Sequence, residues 1–106
     1  ICIMSVQYLK TKAEYDACIA EGTVAIDFTA SWCGPCKMIG PKFEAMAADP
    51  AFASIVFKKI DVDENSEAAE ACGISAMPTF KIYKGGQEVD QMVGASEDKL
   101  RALLEK

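Results

Sequence analysis

The segment Thr23–Thr29, TVAIDFT, constrains the fold more than any other stretch of this chain. It is short, apolar and rich in β-forming residues, so it reads as a strand buried on both faces. Such a strand needs a layer above and a layer below it, and helices that connect parallel strands supply both. The flanking sequence has that form. Helix and strand periods alternate along the 106 residues, with no repeat and no low-complexity stretch. This is the pattern of an α/β fold.

Val6 to Leu9 reads as a short edge strand. Thr11 and Glu14 have capping-box spacing at the start of a helix on which Tyr15, Cys18 and Ile19 share one face, and Glu21–Gly22 ends it. After Cys36 a helix runs to about Ala48, with Ile39, Phe43, Met46 and Ala47 on one side. Pro41 has no N–H for the i−4 carbonyl and is expected to interrupt and kink it. Asp49–Pro50 marks a break, and Ile55–Val62 is a second central strand. Asn65 caps a short helix that Gly73 ends. Thr79–Tyr83, the Gly85–Gly86 turn and Glu88–Val93 form a hairpin. Ser96 caps a last helix with Glu97 and Asp98 in its first turn and Leu100, Leu103 and Leu104 inside. The order βαβαβαββα predicts a central mixed five-stranded sheet flanked by four helices, with early strands parallel and the hairpin antiparallel. A single domain over residues 1–106 is expected. Residues 1–4 are expected outside its ordered part, with Met4 as the natural start and Cys2 disordered.

Composition removes several functions. Eleven basic against sixteen acidic side chains give a net charge of −5. Phosphate-binding surfaces need clustered Lys and Arg, and the nearest approach is the pair Lys58–Lys59 inside a strand, so no nucleic-acid partner is expected. No apolar run approaches the roughly 18 residues of a membrane span. There is no histidine, which excludes His general bases, Cys–His pairs and His metal ligands. The five cysteines, at 2, 18, 33, 36 and 72, are odd in number and too sparse for a secreted disulfide scaffold.

Cys33–Gly34–Pro35–Cys36 sits where a strand ends and a helix begins. The first N–H groups of that helix lack partners and carry partial positive charge, so a thiolate at Cys33 would be stabilised there and activated for disulfide exchange. The i, i+3 spacing lets the two sulfurs close a disulfide. Gly34 allows close backbone approach, Pro35 suits the first helical turn, and Trp32 offers a flat apolar surface to a polypeptide. A structural pair, two buried thiols or half a zinc site are the alternatives. Zinc would want four ligands that this chain does not cluster, so no metal is expected.

Trp32–Cys33–Gly34–Pro35–Cys36–Lys37 resembles the active-site motif of thioredoxins. Phe28–Thr29–Ala30–Ser31 before it and Pro41 after it match that family's flanks, Met77–Pro78–Thr79 resembles its cis-proline loop, and Val93–Gly94–Ala95 its groove-lining turn. The similarity runs in register from about Val6 to the C-terminus.

The resemblance implies the thioredoxin fold and a general protein-disulfide reductase working by Cys33–Cys36 exchange. It also implies recycling by a flavin-containing, NADPH-dependent thioredoxin reductase and no bound cofactor. Asp27 becomes the buried acid below the site, which takes a proton from Cys36. Read without the resemblance, Asp27 is a strand-end carboxylate that reaches water. Lys59 is either a lysine near that acid or a partly exposed strand residue. The resemblance makes the Met77–Pro78 bond cis, leaving the Met77 backbone free to pair with a substrate strand. Trp32, Met77, Pro78, Val93, Gly94 and Ala95 would form a shallow contact surface.

Cys72 is either a small buried hydrophobe or, as in some animal thioredoxins, a regulatory thiol that links two molecules; otherwise a monomer is expected. Cys18 is expected in the core. The resemblance implies disulfide-containing protein substrates of the kind that peroxiredoxins, ribonucleotide reductase and sulfoxide reductases represent, without naming one. With no targeting segment recognised, the cytoplasm is the expected compartment. An oxidant or isomerase on the same fold is a rival, disfavoured by Gly34–Pro35. A structural subunit without redox turnover is the other.

Overall fold

The computed structural model describes residues 6–105. Met4 and Cys2, with the expectations attached to them, lie outside the described residues. The strands are β1 (Gln7–Tyr8), β2 (Thr23–Thr29), β3 (Ile55–Asp61), β4 (Thr79–Lys84) and β5 (Gln87–Val93). The helices are α1 (Lys12–Ile19), α2 (Gly34–Ala47), α3 (Ser66–Ala71) and α4 (Glu97–Leu104), with one 3₁₀ turn at Pro50–Phe52. The sheet order is β1-β3-β2-β4-β5. β3 runs parallel to β1 and β2, while β4 is antiparallel to β2 and β5, as the order of elements predicts.

β2 is therefore paired on both edges and covered on both faces. Its alternate residues divide the interior. Val24, Ile26 and Phe28 join Ile60 and Tyr83 beneath Tyr15 of α1 and Ala68 of α3. Ala25 joins Phe57, Phe80 and Ile82 beneath Ile39, Phe43 and Met46 of α2 and Leu100, Leu103 and Leu104 of α4. By the same alternation Asp27 lies on the α2 side. It is the register partner of Lys59 on β3 and Phe80 on β4.

The helix ends follow local chemistry. Thr11, Asn65 and Ser96 each accept a hydrogen bond from the backbone N–H three residues on, at 3.0, 3.3 and 3.3 Å. One detail departs from the expected capping box. The Glu14 carboxylate takes the Lys10 N–H at 2.6 Å, one residue before the cap. Asn65 also donates to the Leu9 carbonyl at 3.0 Å, joining the start of α3 to the end of β1. Asp49–Pro50 is more than a break. The Asp49 carboxylate accepts the Ala51 N–H at 2.9 Å and caps the 3₁₀ turn.

α2 continues through Pro41, so the expected interruption does not divide it. An interior proline costs about 3 kcal/mol. Ile39, Phe43 and Met46 are all buried on this helix. At roughly 1.5–3 kcal/mol per buried side chain, their packing outweighs the missing bond. Phe43 is fully buried, 5.2 Å from the Phe57 ring and 5.5 Å from the Phe80 ring. Phe43→Ala is expected to lower unfolding free energy by about 3–5 kcal/mol in a guanidinium titration. A loss under about 1 kcal/mol would mean that α2 is not anchored here.

Candidate functional site

At the end of β2 the chain turns through Ala30–Trp32 and enters α2. The Cys33 N–H donates to the Ala30 carbonyl at 3.1 Å, and Cys33 is the N-cap of α2. Its Sγ accepts the Cys36 N–H at 3.2 Å. An N–H with no carbonyl partner within the helix, at its positive end, is thus directed at the first sulfur. Cys33 and Cys36 are disulfide-bonded, with Cα atoms 5.3 Å apart. Both cysteines are buried, while Gly34 and Pro35 between them are exposed. A side chain added at Gly34 would meet nothing within 4 Å, so this position opens outward.

Trp32 is 65% exposed, yet its indole N–H donates to the Asp63 carboxylate at 2.8 Å. Asp63 is itself placed by its backbone N–H, which donates to Asp61 at 2.9 Å. Asp63 escaped the sequence reading because nothing in its spacing separates it from the other acids of the Asp61–Glu64 turn. Met38, two residues beyond Cys36 and 74% exposed, was also missed.

The Met77–Pro78 bond is cis. The Pro78 carbonyl accepts the Gly94 N–H at 2.9 Å, which ties this loop to the end of β5. Gly94 has φ of +114°, a region that favours glycine. Met77 packs against Ala30, Cys33 and Cys36. Val93 and Ala95 are exposed. Pro78 is the correction: it is under 2% exposed and offers no contact area. It holds the loop from inside, so the apolar surface consists of Trp32, Met77, Val93, Gly94 and Ala95.

Asp27 is 1% exposed, and neither carboxylate oxygen has a hydrogen-bond partner. The reading of a carboxylate reaching water is thereby overturned. Burial pushes its pKa up to about 7, against a lowering pull from Lys59 and a raising push from Glu44. Lys59 is also buried and forms an ion pair with Glu44 at 2.6 Å. A cleft of about 440 Å³ lined by Thr29, Cys36, Gly40, Lys59 and Asp61 opens beside the start of α2. A second cleft, of about 490 Å³ and lined by Phe52, Lys84 and Leu104, contains none of these residues.

The other thiols among the described residues lie apart from this site. Cys72 donates to the Tyr15 hydroxyl at 3.1 Å and lies 3.5 Å from the Tyr83 hydroxyl. Both Cys18 and Cys72 are free and half-buried against the core shared by α1 and α3, and burial pushes the Cys18 thiol up. Among the described residues no three His, Cys, Asp or Glu side chains are grouped to hold a metal, and no helix is long and apolar enough to cross a membrane.

A helix-capping disulfide at the end of the central strand of a mixed sheet, a strand that also carries a buried carboxyl, defines a thiol–disulfide exchange protein. A family profile described as thioredoxin matches residues 6–106, and the chain belongs to the thioredoxin family. It is 50% identical to an H-type thioredoxin of Chlamydomonas reinhardtii over 107 residues, covering 96% of this chain and 94% of that one. The crystal structure of Malassezia sympodialis thioredoxin superposes with a TM-score of 0.91 at 45% identity, covering 99% and 92% of the two chains. A structure from work on the thiol-resolving mechanism of yeast mitochondrial 1-Cys peroxiredoxin via glutathione and thioredoxin systems has a TM-score of 0.89 at 34% identity, covering 95% and 94%. The protein is accordingly a protein-disulfide oxidoreductase, a general disulfide reductase built on the Cys33–Cys36 pair.

The Asp27 carboxyl makes stability depend on pH. Its usual value of 3.8 applies to the unfolded chain, and about 7 to the folded one. Below about pH 4 both states hold the proton. Between about 4 and 7 the unfolded chain ionises first, so stability falls as pH rises. Above 7 the full cost is reached, roughly 4 kcal/mol at most. The stability of Asp27→Asn relative to the wild type should therefore increase by up to roughly that amount between pH 4 and pH 8 in urea titrations. A difference constant with pH would contradict the buried, proton-holding carboxyl.

Proposed function

We propose that Cys33 is the attacking sulfur, Cys36 the resolving sulfur and Asp27 the proton acceptor that activates Cys36. The observation that carries this assignment is the Cys36 N–H directed at the Cys33 sulfur. The same donor and helix terminus would favour a thiolate at Cys33. That thiolate attacks a substrate disulfide, forming a mixed disulfide and releasing the first substrate thiolate. The Cys36 thiol gives its proton to the Asp27 carboxylate. The resulting Cys36 thiolate attacks the Cys33 sulfur, the second substrate thiolate leaves, and the Cys33–Cys36 disulfide forms. The substrate gains the two electrons that the pair loses.

Partners are disulfide-containing polypeptides, peroxiredoxins among them, in keeping with the peroxiredoxin-related structural neighbour. They would lie across Trp32, Met77, Val93, Gly94 and Ala95. An NADPH-dependent thioredoxin reductase restores the dithiol, and the protein itself needs no bound cofactor or metal. It acts as a monomer. A Cys72-linked dimer would require that thiol to leave the Tyr15 and Tyr83 hydroxyls. Among the described residues, the free thiols Cys18 and Cys72 beside one exchangeable pair suit a reducing compartment, and we place the protein in the cytoplasm.

Mixing Cys36→Ser with a disulfide substrate should accumulate a mixed disulfide through Cys33, detectable by mass, whereas Cys33→Ser should give none. A mixed disulfide through Cys36 would reverse the two roles. Asp27→Asn should slow release of the mixed disulfide by at least about tenfold with little effect on its formation. Equal release rates would remove Asp27 from the mechanism. Equilibration with glutathione should place the pair below the glutathione couple, and a higher potential would make the protein an oxidant or isomerase.

A further inference from the structure

Lys59 and Asp27 are register partners on adjacent parallel strands, and both lie beneath α2. A buried ammonium and a buried carboxyl so placed would ordinarily pair, because each is costly to bury alone. Here they do not. Neither Asp27 oxygen has a hydrogen-bond partner, while Lys59 Nζ bonds to Glu44 Oε2 at 2.6 Å. On its way the ammonium passes Gly40, where an added Cβ would stand 3.6 Å from Nζ. Gly40 and Glu44 are four residues apart on α2 and share one face. The Tyr8 ring, on β1, lies 5.7 Å from the same nitrogen. The cation is thus held along one turn of α2.

The other groups around Asp27 leave this arrangement to Glu44. The charges that act on Asp27 are those of Lys59 and Glu44, and the cleft that Lys59 lines is walled on the α2 side by the disulfide-bonded Cys36 and by Lys37. Asp61 at the end of β3 lines the same cleft. β4 places Phe80 opposite Asp27, and α4 presents leucines to this core. Glu44 is half-exposed, with 41% of its side chain in solvent, and the fold does not bury it for packing.

We infer that Glu44 is a positioning residue for the reductase reaction: it holds the Lys59 ammonium along α2 and away from the Asp27 carboxyl, which so keeps no fixed counter-ion. The inference rests on Asp27 as the proton acceptor for Cys36. A carboxylate paired with a buried lysine is held ionised and becomes a weaker proton acceptor. Without Glu44 the flexible lysine stem is free to turn toward Asp27, and the acid would lose its readiness to receive a proton near neutral pH.

The test titrates Asp27 in the oxidised protein, without substrate, by the carbon-13 shift of its carboxyl. Glu44→Gln keeps the shape and removes the charge. Its Asp27 midpoint is expected to fall by at least about one pH unit, a tenfold loss of proton affinity. In a Lys59→Met background the same substitution should shift the midpoint much less, since no cation remains to be released. An unchanged midpoint in Glu44→Gln overturns the inference. So does an equal fall in both backgrounds, which would mean that Glu44 acts on Asp27 only through space. In turnover, Glu44→Gln should move the pH profile of mixed-disulfide release to lower pH. If the titrations behave as stated while Asp27→Asn releases substrate at the wild-type rate, the clamp stands and the proton-acceptor role fails.

Discussion

The rest of the structure depends on the double burial of β2. It shares hydrogen bonds with β3 and β4, and helices cover it on both sides. Between its half-buried ends, every residue from Val24 to Phe28 is shut away from water, and this gives Asp27 its chemistry. A carboxyl on an edge strand would be an ordinary surface acid. At this position desolvation dominates, and the group titrates near neutrality. The same burial fixes where β2 ends, and its last turn delivers Cys33 to the start of α2.

The two cysteines illustrate how little special material the site needs. α2 contributes its unpaired N–H groups, the Cys-x-x-Cys spacing brings the sulfurs together, and a glycine and a proline between them leave the outer side open. The loop before β4 and the end of β5 then meet the site from the opposite direction, joined by the Gly94–Pro78 hydrogen bond. Segments distant in sequence so converge on one pair of sulfurs, and packing of α2 on the sheet holds them in place.

Much of this was legible in the sequence. The caps at Thr11, Asn65 and Ser96 are local, set by one side chain and an N–H three residues away, and they were read correctly. So were the strand at Thr23–Thr29, the hairpin and the inward leucines of α4, since periodicity reports burial directly. The features that were missed belong to tertiary register. The burial of Pro78 depends on β5 lying beside it. Asp63 is chosen among neighbouring acids by where the Trp32 indole points. Lys59 neighbours Asp27 in the sheet, yet its partner is Glu44 on α2, reached past Gly40, and no local pattern marks that pairing. The sequence predicts an interruption at Pro41 because propensity is local, whereas the packing that overrides it is not.

The Trp32–Asp63 hydrogen bond has a consequence for how partners are received. A large ring exposed to solvent would normally sample several rotamers, and an incoming chain would have to freeze one of them. Here the indole is already anchored at its N–H, so that loss of freedom was met during folding. The plate is rigid before any encounter, and it rewards any flat apolar segment about equally. Preorganisation of this kind lowers the entropic cost of covering the ring and leaves selectivity to whatever else a contacting segment touches.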